Sequence, residues 1–117
     1  MVLAGARILV VEDDDAVVDL LDTALTARGA TVVSAKSPAA LHDALATGTF
    51  DAALLDISPI RDDLSGAISA VRGASPLAKV IVISGSAGNA PPLPARFDAL
   101  WVRKPFEIRE IVEALSR

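Results

Sequence analysis

The stretch RILVVEDDD, residues 7–15, decides how this chain is read. Arg7 to Val11 is a short β-branched run without polar alternation, which suits a strand covered on both faces, as in a parallel sheet. The run ends abruptly in four acids, Glu12 to Asp15. After them Val17, Leu20, Leu21, Ala24 and Leu25 recur at i, i+3, i+4, i+7 and i+8, the apolar stripe of a helix. Asp14 or Asp15 supplies its N-cap, and Gly29 a left-handed stop.

Outward from this unit the pattern repeats. Thr31 to Ala35 (TVVSA) reads as a second strand. Ser37-Pro38 then gives an N-cap followed by proline at the first helical position, with Leu41, Ala44 and Leu45 inward and Gly48 ending the helix. Ala52 to Leu55 (AALL) runs into Asp56, and a helix follows from about Ser65 to Arg72. Lys79 to Ile83 (KVIVI) runs into Ser84-Gly85, and Ala99 to Val102 is a fifth strand. The last helix begins after Pro105 and places Ile108, Ile111, Val112 and Leu115 on one face. Strands alternating with helices at this spacing predict an α/β fold with right-handed crossovers and a five-stranded parallel sheet, helices on both faces. The segment SAGNAPPLPARF, residues 86–97, breaks the rhythm with Pro91, Pro92 and Pro94. The fourth helix, due there, is therefore expected to be short, displaced or replaced by an extended loop.

With 117 residues, 52% of them hydrophobic, the chain reads as one domain, residues 1–117. The absence of cysteine excludes disulfides, thiol catalysis and thiolate metal sites, and the single histidine, His42, makes no histidine cluster. Eleven basic against 15 acidic residues give a net charge of −4, with no basic run. Direct nucleic-acid or anionic-membrane binding is not expected. No apolar stretch approaches the roughly 20 residues of a membrane span, and Met1 to Arg7 lacks the apolar region of a signal peptide, so the expected location is the cytoplasm.

Open parallel sheets bind ligands at the carboxyl ends of their strands. Those ends carry Glu12-Asp13, Asp56, Ser84 and Lys104-Pro105. Two carboxylates about 4 Å apart repel by roughly 4 kcal/mol at an effective dielectric near 20. Either one acid has a raised pKa or a hard cation sits among them, and oxygen ligands without sulfur or imidazole suit Mg²⁺. Taken alone, Glu12 to Asp15 also read as a solvated, helix-capping acidic turn. Asp56 does not, because it ends an apolar strand, where a solvated charge gains nothing in packing. A carboxylate there can act as a nucleophile toward phosphorus, with Asp13, Lys104 and Ser84 supplying metal ligation, a cation and a hydroxyl.

With these residues in place, the chain resembles the receiver domain of bacterial two-component response regulators, from about Arg7 to Leu115. The resemblance rests on ILVVEDD (Ile8 to Asp14), LLDI (Leu54 to Ile57), VIVISG (Val80 to Gly85) and KPF (Lys104 to Phe106). It implies a flavodoxin-like strand order 2-1-3-4-5 and a phosphoprotein, Asp56 being the phosphoacceptor. It further implies that Asp13 and Asp56 bind Mg²⁺ directly, Glu12 through a water, and that the Ser58 backbone carbonyl completes the protein ligands. Ser84 and Lys104 would engage the phosphoryl group, and the Lys104–Pro105 bond would be cis. Trp101 holds the family's switch-aromatic position, although its residue type equally fits a core tryptophan. The implied donor is a sensor histidine kinase or a histidine phosphotransfer protein, and a further effector protein is possible. The implied role is that of a two-component or phosphorelay acceptor and not of an enzyme, although such domains promote their own phosphorylation and dephosphorylation.

Two departures stand out. Pro59 comes one residue before the family's usual proline position at Ile60, and Gly66 two residues after its usual glycine position at Leu64, so the loop containing Arg61, Asp62 and Asp63 is remodelled. Residues 86–97 are the second departure. They leave an alternative: a degenerate receiver acting as a phosphorylation-independent interaction module. A phosphohydrolase of the haloacid dehalogenase type would want a second aspartate where Ser58 stands. A flavodoxin-like nucleotide binder would not put acids in its first loop. The length leaves no room for a DNA-binding output domain, so the expectation is a stand-alone receiver or one part of a longer regulator.

Overall fold

The computed structural model describes residues 1–85 and 98–117. Five parallel strands, β1 (Arg7–Val11), β2 (Thr31–Ala35), β3 (Ala52–Asp56), β4 (Lys79–Ser84) and β5 (Leu100–Arg103), form one sheet in the order β2-β1-β3-β4-β5. The helices are α1 (Asp15–Thr26), α2 (Pro38–Leu45), the single turn α3 (Ile57–Ile60), α4 (Leu64–Ala74) and α5 (Ile108–Ser116). A 3₁₀ turn, Arg61–Asp63, joins α3 to α4. The expected sheet order and two-sided helical cover are present. The fourth-helix expectation falls on residues 86–97 and lies outside the described residues. Among the described residues no helix is long and apolar enough to cross a membrane.

Between their end residues the three inner strands are apolar, because successive residues serve opposite faces and both faces are covered. Ile8 and Val10 of β1, Leu54 of β3 and Ile81 and Ile83 of β4 pack with Leu21 and Leu25 of α1 and Ile111 and Leu115 of α5. Leu9, Val11, Leu55, Val80 and Val82 face the other way, onto Leu41 of α2, Ile57 and Ile60 of α3, and Leu64, Ile68 and Val71 of α4.

Helix ends follow local chemistry. Asp14 caps α1 by accepting from the Ala16 N–H at 2.9 Å, and Ser37 caps α2 by accepting from Ala40 at 3.1 Å. Gly29, at φ +89°, closes the turn after α1 with the Gly29 N–H on Thr26 O and the Ala30 N–H on Leu25 O, a Schellman pair. Two sequence expectations need correction. Leu20, assigned to the inward stripe of α1, is 48% exposed, because the buried arc is narrow enough for Val17, Leu21, Ala24 and Leu25 to fill. The fifth strand runs from Leu100 to Arg103, one residue later than read, since its ladder with β4 begins at Leu100 opposite Ile81.

Candidate functional site

The pleat that splits the core also aims the acids. Glu12 stands two residues beyond Val10, Asp56 two beyond Leu54 and Lys104 two beyond Val102, so all three continue the strand phase that faces α1 and α5. The ladder holds that phase past the strand ends: the Glu12 N–H donates to Ala35 O at 3.0 Å, and the Lys104 N–H to Ser84 O at 2.8 Å.

Glu12 is 1% exposed and Asp56 2%. Lys104 Nζ lies 2.9 Å from Glu12 Oε2 and 3.4 Å from Asp56 Oδ1, bridging the two. Glu12 Oε1 accepts from the Asp14 N–H at 3.0 Å, so both of its oxygens are held. Asp56 Oδ2 is buried and, among the described residues, has no hydrogen-bond partner. A native protein seldom leaves such an atom unpaired, and this oxygen is free to accept from or ligate a bound group. Burial pushes the Asp56 carboxyl up from its ordinary value of 3.8 to about 6, with the Glu12 charge adding to the rise and Lys104 opposing it. Burial draws the Lys104 ammonium down, but its hydrogen bond to Glu12 and the charges of both acids outweigh that, and its pKa ends raised.

Asp13 is exposed at the mouth, and its Oδ2 accepts a long 3.4 Å hydrogen bond from Ser58 Oγ. One carboxylate oxygen from each of Glu12, Asp13 and Asp56 lies within 4.8 Å of the others. Three hard oxygen donors so close together, two of them from the buried Glu12 and Asp56, fit a hard divalent cation. The simple acidic-turn reading therefore holds only in part. Asp13, Asp14 and Asp15 are exposed and Asp14 caps, whereas Glu12 belongs to the interior.

Ser84, half-buried, ends β4 one position beyond the register partner of Asp56, which is Ile83. The Lys104–Pro105 peptide bond is cis. Trp101 is not a core tryptophan: it sits on edge strand β5 opposite Val82 and is 42% exposed. Ser58 lies inside α3, where its hydroxyl is the group that reaches Asp13.

One further arrangement ties the displaced glycine to a helix cap. Asp63 caps α4 by accepting from the Gly66 N–H at 2.9 Å, and a Cβ on residue 66 would overlap the Asp63 carboxylate. The displaced glycine thus belongs to the displaced cap. An Asp-x-x-Gly spacing ahead of an apolar stripe was the available signal.

No family model matches the chain, and no curated protein sequence matches it. Solved structures do. The receiver domain of the TMAO respiratory system response regulator TorR is 26% identical, covers 95% of this chain and 93% of its own, and superposes with a TM-score of 0.80. A response regulator receiver protein from Sinorhizobium medicae WSM419 is 24% identical over 97% of this chain and 94% of its own, also at 0.80. A response regulator from Burkholderia pseudomallei, solved with a phosphorylated aspartic acid, a calcium ion and citrate, is 22% identical over 94% of this chain, at 0.80. This chain spans 66% of that protein's length. The fold is that of the response regulator receiver domains, the CheY-like class.

Proposed function

We propose that this chain, residues 1–117, is a phosphoacceptor module of a two-component or phosphorelay system, acting in the cytoplasm. In this reading Asp56 takes a phosphoryl group from a sensor histidine kinase or a histidine phosphotransfer protein, with Mg²⁺ bound at the acid cluster. The observation that carries the reading is Asp56 itself. It is a buried carboxylate at the end of an apolar strand, with one oxygen beside Lys104 and the other without a partner among the described residues.

In the transfer, an Asp56 oxygen forms a bond to phosphorus as the bond from phosphorus to the donor imidazole nitrogen breaks, and that nitrogen keeps the electron pair. Lys104 offsets the charge on the phosphoryl oxygens, and the Ser84 hydroxyl donates to them. Asp13 and Asp56 would hold the Mg²⁺ directly, Glu12 through a water, and the Ser58 backbone carbonyl would complete the protein ligands. When bound, the cation supplies charge neutralisation between acceptor and phosphoryl oxygens. The chain is the acceptor and not an enzyme with a separate substrate, although the same groups promote its own phosphorylation and hydrolysis. Phosphorylation would rearrange Ser84 and Trp101, and an effector protein would read the change. The complete set of Glu12, Asp13, Asp56, Ser84 and Lys104 argues against a phosphorylation-independent module.

The test is intact mass after incubation with phosphoramidate and Mg²⁺, on the wild type and on Asp56→Asn, with the fluorescence of Trp101, the single tryptophan, followed in parallel. One phosphoryl adduct on the wild type alone, with a matching fluorescence change, is the expected result. No adduct, or an equal adduct on Asp56→Asn, overturns the assignment.

A further inference from the structure

On the face of the sheet away from α1 and α5, a cleft of about 210 Å³ opens between α2, α3 and the start of α4. By the roughly 30 Å³ that a liquid water occupies, it has room for one long side chain. Its lining includes the buried apolar Leu41 and Ile60, His42 and Pro59, and the exposed acids Asp62 and Asp63. Asp62 and Asp63 are both exposed, and neither is in an ion pair among the described residues. Asp63 spends one oxygen on the Gly66 N–H. Apolar lining beside exposed acids suits a lysine or arginine, whose stem lies on apolar surface while its head stays at the polar edge.

The same cleft is wired to the acid cluster. Its α3 wall starts at the residue after Asp56, and Asp56 occupies the N-cap position of that turn without a side-chain cap bond. Ser58, in the middle of the turn, touches Asp13. Ile57 and Ile60 are each 3% exposed, so the turn is packed into the core directly after Asp56.

We propose that this cleft docks a short basic segment of a partner protein, and that the state of Asp56 sets the affinity. The second half rests on the phosphoacceptor reading. A basic side chain lies along Leu41 and Ile60 with its charge between Asp62 and Asp63. A phosphoryl group on Asp56 shifts α3 and with it Pro59 and Ile60, changing the width of the cleft.

The probe is an acetylated, amidated tetrapeptide, leucine–arginine–leucine–lysine, titrated into the ¹⁵N-labelled protein, with leucine–glutamate–leucine–glutamate as control. Amide shifts confined to residues 38–42 and 59–67 are expected. Asp62→Asn should weaken binding about threefold, the scale of one exposed ion pair, and Asp62→Lys more. Shifts elsewhere, equal binding of the acidic control, or unchanged binding by Asp62→Lys would overturn the docking site. The titration is then repeated after phosphoramidate and Mg²⁺, with the adduct checked by mass. A changed affinity with the adduct present supports the coupling, and an unchanged one overturns it. If no adduct forms, the phosphoacceptor reading and the coupling fall together, while the docking half stands or falls on the first titration.

Discussion

Replacing Asp56 by asparagine tests the energetics of the acid cluster most directly. The amide keeps the shape of the carboxyl and removes its charge. In the folded protein the Asp56 carboxyl titrates near 6 because it is buried beside Glu12, whereas in the unfolded chain it returns to about 3.8. Below pH about 4 the folded state keeps the proton it favours, and the group contributes its full stabilising share. As pH rises through about 6 the buried carboxyl must ionise, and that share is lost. A gap of about two pH units corresponds to about 3 kcal/mol. In EDTA, Asp56→Asn should therefore match the wild type near pH 4 and exceed it by about 3 kcal/mol above pH 7. With a urea slope of about 1.5 kcal/mol/M, that is a midpoint shift of about 2 M. Subtracting the two curves removes the contribution of the carboxylates remote from Asp56, which both proteins share. Mg²⁺ should narrow the difference at high pH by stabilising the wild type. A difference that does not change with pH, or a variant no more stable at pH 8, would refute the account of Asp56 as a strained buried charge.

Millimolar Mg²⁺ should raise the melting temperature of the wild type, since a ligand held only by the native state stabilises by about 2.7 kcal/mol at a hundredfold excess over Kd. Asp13→Ala should lose that shift; thermal denaturation of both proteins with and without the ion decides it, and an equal shift in the variant removes Asp13 from the ligand set. The same variant, free of metal, should have a urea midpoint at or above the wild type's, because one of three neighbouring carboxylates is gone. A lower midpoint contradicts the repulsion argument. Gly66→Ala should cost about 1 kcal/mol by displacing the Asp63 cap, as should Asp63→Ala. The double variant should cost clearly less than the sum, and full additivity in denaturant melts would show that the two residues do not act together.

Much of this protein is legible in one dimension. Unbroken β-branched runs such as ILVV and VIVI specify strands covered on both faces, because only a two-sided core accepts apolar residues at every position. Each of those runs stops at a polar residue, and in a parallel sheet the stops gather on one edge. That rule puts Glu12, Asp13, Asp56, Ser84 and Lys104 at the carboxyl edge of one sheet. The caps at Asp14 and Ser37 and the Gly29 stop were legible for the same reason, being interactions between residues a few positions apart.

Tertiary structure alone decided the rest, because burial and partner choice depend on residues distant in sequence. Four consecutive acids look alike in the sequence, yet Glu12 is interior and the next three face solvent, since only residue 12 continues the β1 ladder and meets Lys104, 92 positions away. Leu20 fits the helix stripe, yet it falls outside the arc that Val17, Leu21, Ala24 and Leu25 turn inward. Trp101 was readable as a switch or a core residue, and its place on an edge strand left it 42% exposed. The raised pKa of Asp56 and its unpaired oxygen exist only once the sheet has closed water out around it. Apolar periodicity is a local record of which way a chain folds, whereas the cost of a buried charge is set by everything folded against it.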